Sequence, residues 1–162
     1  SIMTYINLYA VEINLVKSAS FFFVIYTITV LISRPFTGKV LDNKGAKLVL
    51  IPAIISFALG LLLLSIANNS FILLLSGAFI GLGFGNVSSI SQTLAVKTVS
   101  SEKVGLATAT FFIFFDLGNG LGPIILGNII SIGYANMYML LSTIIFIVGI
   151  IFMLFSKKII KE

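Results

Sequence analysis

An all-α, membrane-embedded protein is the fold class this sequence predicts, and three observations predict it. Mean hydropathy is +1.18. Only 9% of residues are charged, where a soluble domain carries about 25%, so a water-facing surface could not be covered. Four apolar runs, at Leu48–Ala67, Phe71–Val96, Leu106–Ile132 and Met137–Phe155, reach the ~20 residues that a membrane-crossing helix needs.

A fifth run, Ser18–Ser33 extending to Pro35, is shorter but rich in Phe, Ile and Val. The opening segment, Ser1–Val11, is apolar over about half a span and is followed by Glu12 and Lys17. It is either a short interfacial piece or the tail of a helix whose first half is absent, and is read as the second. The expectation is therefore a single transmembrane helical domain over residues 1–162, with spans at about 1–11 (partial), 18–35, 48–67, 71–96, 106–132 and 137–155.

Composition excludes several functions. With no Cys and no His, disulfides, thiolate chemistry and most zinc sites fall away. The five carboxylates are scattered, so no catalytic residues, metal or enzyme activity are expected. Although the net charge is +5, long apolar runs separate the ten cations. Nucleic acid, which calls for clustered cations on one face, is not an expected partner; the lipid bilayer is.

The polar connections alternate sides. One side receives Lys17, Ala67–Ser70 and Gly133–Asn136; the other receives Arg34, Lys39, Lys44, Lys47, Lys97, Lys103, Lys157, Lys158 and Lys161. The positive-inside rule makes the second side cytoplasmic, with the C-terminus there. The preference for Lys over Arg and the heavy use of Ile suggest an AT-rich bacterial genome, and so a multi-pass protein of a bacterial cell membrane.

The stretch from Arg34 to Leu50 stands out, with four cations, an Asp and two glycines between apolar runs. It is expected to form a short loop. Arg34 and Pro35 would close the preceding helix, the glycines would turn the backbone, and Asp42 would sit near a helix N-terminus, where a carboxylate can cap it. A plain solvated turn would have the same residue types.

Gly38, Asp42, Gly45 and Lys47 resemble the cytoplasmic loop motif G-x-x-x-D-R/K-x-G-R-R/K of major facilitator superfamily transporters, in particular their twelve-span drug/proton antiporter branch. Asn43 and Ala46 stand where basic residues are usual, which is similar to the weaker copy in the second half. Gly118, Gly122, Pro123 and Gly127 in "GNGLGPIILG" are similar to the antiporter motif G-x-x-x-G-P-x-x-G-G, with Leu126 in place of one glycine. Small residues four apart also serve close helix packing in lipid without any further role. The first half of the family carries an intramembrane Arg in its fourth helix, where this chain has Gly77. The resemblance therefore implies helices seven (partial) to twelve: one six-helix half of a major facilitator fold.

Asp116 is the one acid deep inside a span. Such a group costs about 2.5–3.5 kcal/mol on insertion scales and by default marks a pathway or relay. Helical spacing lines it up with Thr108, Ala109, Asn119 and Gly120. A structural carboxylic acid bonded to a neighbouring helix is the competing reading. Further polar lines run along Tyr26, Thr29 and Ser33, along Gly85, Ser88, Ser89 and Gln92, and through Thr4 and Asn7. Each is as compatible with interhelical bonding as with a cavity wall. They fall on helices one, two, four and five, which in the family line the cavity, whereas helices three and six face lipid.

The resemblance implies proton-coupled efflux of small molecules or drugs by alternating access, without a cofactor. Its partners would be protons, a small-molecule substrate and the missing N-terminal half or a second copy. Two alternatives stay open. The same fold could carry a nutrient, a sugar or a metal chelator, or the chain could be an inactive truncated or non-transporting membrane subunit.

Overall fold

A computed structural model describes residues 2–159, and among them the chain is helical almost throughout. Six helices follow in order: α1 (Ile2–Glu12), α2 (Val16–Lys44), α3 (Lys47–Ser65), α4 (Ser70–Lys97), α5 (Val104–Gly127) and α6 (Tyr134–Ile159). Single 3₁₀ turns at Ser101–Lys103 and Ile130–Ile132 precede α5 and α6. Among the described residues no strand occurs, and five helices, all but α1, are long and apolar enough to cross a membrane. In lipid every backbone polar group has to be satisfied within its own segment, which leaves the helix as the local solution for these runs.

The breaks between helices are local. Asn14 takes a left-handed φ of 58° between α1 and α2, and Gly45 and Gly133 take φ of 84° and 89° before α3 and α6. Asn69 caps α4, its side chain accepting the Ile72 N–H at 2.9 Å. One boundary differs from expectation. Arg34 and Pro35 do not close α2, which runs on to Lys44. A proline inside a membrane helix removes one backbone hydrogen bond, but a loop at that depth would leave several groups unpaired.

Helix α4 packs against α2 on one side and α3 on the other, and α3 also packs against α6. The α2–α4 seam is made of glycines. A Cβ on Gly77 would meet the Phe22 ring at 2.9 Å, one on Gly81 the Tyr26 carbonyl at 2.7 Å, and one on Gly85 the Val30 side chain at 2.6 Å. The α3–α4 seam repeats the device, with Gly60 against Ile80 and Gly83 against Phe57. Ser56 donates to the Phe79 carbonyl at 3.0 Å across it. On the other flank, Ser142 of α6 donates to the Ala58 carbonyl at 2.7 Å. Close backbone approach and hydrogen bonding drive association where water supplies no hydrophobic force between helices.

Helix α3 is thus enclosed on two flanks, but it keeps an exposed apolar stripe of Leu48, Ile55, Leu59, Leu62 and Ile66. Helix α6 exposes a broader one that includes Ile147, Ile151 and Leu154. Both suit acyl chains. The larger core cluster sits toward the cation-poor end, with Ile6, Phe22, Leu61, Leu73, Met137 and Tyr138 fully buried. Four tyrosines gather there, the Tyr9 and Tyr138 rings 5.4 Å apart and Tyr134 within 6.3 Å of both Tyr5 and Tyr9.

Candidate functional site

Helix α5 is held more loosely than its neighbours. Leu126 is its one buried residue, and its ties to the bundle are few. The Phe84 and Phe115 rings stack at 6.1 Å, and the Tyr5 hydroxyl of α1 donates to the Pro123 carbonyl at 2.7 Å. Asp116, Asn119, Gly118 and Gly120 are all exposed, and nothing lies within 4 Å of a Cβ built on Gly118 or Gly120. Of the glycine-proline motif, Gly127 comes close to another helix, its added Cβ meeting the Tyr5 hydroxyl at 3.2 Å. Gly122 is half-buried. The small and polar face of α5 therefore stays open within this bundle instead of packing it.

Beside that face, α2, α4 and α5 line an open cavity of about 280 Å³ with Arg34, Ser88, Ser89, Gln92, Phe111, Phe112 and Phe115, of which Arg34 and Phe112 are exposed. The structure brings together four of the residues singled out in the sequence, namely Arg34, Ser88, Ser89 and Gln92. It also moves Arg34 from the expected loop to a cavity wall. Between Arg34 and Lys44 the helix rises about 15 Å. Asp116 follows Phe112 by one turn on the same helix face.

The remaining candidates are dispersed. Asn7 is exposed on α1. Tyr26 is half-buried on the α4 side of α2, its carbonyl against Gly81. Thr29 donates back to the Ile25 carbonyl at 2.7 Å and lines a separate groove with Ser33 and Thr37. These three do not join the cavity.

The stretch around Asp42 also differs from expectation. Gly38 lies inside α2, and Asp42 lies in its last turn. Asp42 does not cap α3, which has no side-chain cap. Its carboxylate instead accepts from Lys97 Nζ at 3.1 Å, tying the end of α2 to the end of α4. The reason is the length of α2: with the helix running on to Lys44, Asp42 is two residues short of the break and points across to α4. Gly45 supplies the turn, its N–H bonded to the Leu41 carbonyl, and Lys47 starts α3.

Sequence reasoning missed Asn86. It is buried in α4, accepts from Thr37 at 2.8 Å, and donates to Ser33 at 3.0 Å and to the Leu82 carbonyl at 2.7 Å. Every polar atom of its amide is used, which makes it a clamp between α2 and α4. The signal available was the spacing Gly77, Gly81, Gly85, which marks the packed face of α4 that Asn86 borders.

A sequence profile of the Major Facilitator Superfamily matches residues 1–159. An uncharacterised MFS-type transporter of Methanocaldococcus jannaschii is 32% identical over 154 residues, covering 93% of this chain and 39% of that protein. The multidrug resistance protein MdtG of Proteus mirabilis is 29% identical over 164 residues, covering 97% of this chain and 40% of that protein. Multidrug resistance protein 3 of Bacillus subtilis is 32% identical over 106 residues, or 65% of this chain and 20% of its own length. The chain thus spans about two fifths of the length of the first two relatives. With its six helices and five candidate spans, and with the profile matching almost end to end, the chain belongs to the major facilitator superfamily.

Proposed function

We propose that this chain is helices seven to twelve of a drug/proton antiporter, and that it works by rocking against a second six-helix half to expel small molecules. The observation that carries this reading is the open, small and polar face of α5, where Asp116 stands exposed in the middle of an otherwise uncharged helix. An intramembrane acid is tolerated where it faces water, a cation or a partner. A face of glycines with nothing near it fits the close approach of other helices. The relatives named as multidrug resistance proteins favour drug efflux. Nine cations on one side favour that side, with the C-terminus, as cytoplasmic.

In this mechanism Asp116 takes either a proton or a cationic substrate, and alternating access exposes it to the two sides in turn. The α2–α4 seam moves as one body, since glycine contacts and the Asn86 clamp fix it. Gly118, Gly122 and the neighbouring Pro123 meet the other half. Asp42 and its turn help to hold the cytoplasmic side closed.

The test is efflux from proteoliposomes containing the intact transporter under an imposed pH gradient. Asp116→Asn keeps shape and hydrogen bonding but removes titration. It is expected to lower proton-driven export of cations at least tenfold with little change in abundance, on the scale of losing a charge-assisted interaction worth about 1.5–3 kcal/mol. Normal cation export by that variant across a range of external pH removes Asp116 from the mechanism. Export of a single chemical class by the wild type would instead favour a nutrient carrier.

A further inference from the structure

We propose that the cavity between α2, α4 and α5 is a subsite for a small aromatic anion, an aryl carboxylate, with Arg34 as its counter-ion. The proposal deepens the transporter reading and rests on it for the cavity's place in a transport cycle, though not for binding itself.

The first argument is charge. A cation in a membrane helix is costly unless water, backbone carbonyls or an anion meets it. The cavity wall holds Arg34 and no carboxylate. Asp42 is engaged by Lys97, and Asp116 is outside the lining. Among the described residues the Arg34 guanidinium makes no ion pair or hydrogen bond with protein. Its planar fork suits a carboxylate, which it can grip with two parallel bonds.

The second argument is the set of groups around it. Ser88 hydrogen-bonds the Gly85 carbonyl at 3.2 Å. The Ser89 hydroxyl and the Gln92 amide are half-buried on the wall, and neither forms a side-chain hydrogen bond within the described protein. Two uncommitted donors therefore share the cavity with one uncommitted cation. Their positions follow from the helix seam. Gly81 faces Tyr26 and Gly85 faces Val30, and one turn further Ser89 comes level with Arg34. There α4 carries serine in place of glycine on the side that faces the cavity, while Asn86 keeps the two helices joined through Ser33 and Thr37.

The third argument is the opposite wall, which is aromatic. The Phe111 and Phe115 rings stack at 5.9 Å, and the Phe112 ring stands edge-on to Phe111. Aryl groups pack on such surfaces by offset stacking or edge contacts. The volume of about 280 Å³ lies just under the ~300–1,000 Å³ typical of pockets for drug-sized ligands, which favours one or two fused rings. A cation is not the ligand for this wall, which holds Arg34; the acid proposed to take cations, Asp116, lies outside the lining.

The experiment is equilibrium dialysis of the intact, detergent-purified transporter against radiolabelled naphthoate, with naphthamide as the uncharged match. Wild type is expected to bind naphthoate more tightly than naphthamide. Arg34→Gln is expected to weaken naphthoate at least about tenfold, the scale of one charge-assisted hydrogen bond, and to leave naphthamide within about twofold. Arg34→Lys should keep an intermediate affinity, because it retains charge without the fork. The proposal is overturned if wild type does not prefer the anion, or if Arg34→Gln binds naphthoate normally. It is also overturned if the variant loses both ligands equally while its thermal unfolding is unchanged. Selective naphthoate binding in a protein that shows no proton-driven transport would sink the antiporter reading and leave the subsite standing.

Discussion

Lys97 Nζ lies 3.1 Å from the Asp42 carboxylate, and 55 positions separate the two residues. Phe22 and Gly77, Tyr26 and Gly81, and Val30 and Gly85 meet across the same seam at the same separation. Two parallel helices therefore hold one register from near the start of α2 to its last turn. Contacts recur every four residues, as expected when small residues on one helix receive side chains of the other. The ion pair closes this ladder at the cation-rich end.

The ladder makes glycines unequal. Gly81→Leu has to displace the Tyr26 backbone, which a Cβ would approach to 2.7 Å. Overpacking of this kind typically costs about 1–3 kcal/mol, and a lowered midpoint is expected in denaturant titration in mixed micelles. Gly118→Leu meets open space and is expected to unfold like the wild type while slowing transport by the intact protein. Equal destabilisation by both substitutions would mean that the α5 face is packed after all.

Asn86→Leu is expected to cost about 1 kcal/mol, near the upper part of the range for hydrogen bonds between membrane helices. Ser33 and Thr37 lose their shared partner but keep local carbonyls, Val30 at 3.1 Å and Ser33 at 3.1 Å respectively. Thr37→Val in the Asn86→Leu background should then add less than it does in wild type. Full additivity in the same unfolding assay would show that the clamp does not act as a unit.

Asp42 and Lys97 are both more than half exposed, so either neutralisation is expected to change stability by no more than about 1 kcal/mol. Transport is the sharper readout. Asp42→Asn and Lys97→Gln should each reduce it, and the double variant should be no worse than the singles. If Asp42→Asn transports normally, the stretch serves only as a turn.

Orientation can be read by labelling in whole cells, since the chain has no cysteine of its own. A cysteine at exposed Lys39 is expected to resist an impermeant maleimide, and one at exposed Asn68 is expected to react. The opposite pattern would invert the assignment of the cation-rich side.

The helical class was legible because apolar length is a one-dimensional quantity, and lipid admits few alternatives to the helix. The end of α2 was not. Arg34, Pro35 and Gly38 are stop signals in water, yet the helix carries them through, because helix–helix packing outweighs local preference there. The same continuation explains why Arg34 could not be placed on a cavity wall from sequence. Ser89 and Gln92 could be assigned to one face of α4 by spacing alone, but their neighbours on α2 and α5 depend on which helices adjoin. Asn86 lay outside the polar lines because its partners, Ser33 and Thr37, are on another helix.

The Tyr5 hydroxyl and the Pro123 carbonyl are 118 positions apart in the chain. A ribosome makes α1 before α5, so one of the α1 hydrogen-bond partners emerges only after three further spans have been synthesised. At about 5–20 residues per second, α1 waits on the order of ten seconds beside lipid or the insertion machinery before α5 arrives to meet it. The Tyr134 and Tyr138 rings that flank Tyr9 arrive later still. The cation-poor end of the bundle therefore matures last. Substitutions at Tyr5 or Tyr9 should be felt as degradation of newly made protein before they are felt as loss of stability in the finished one.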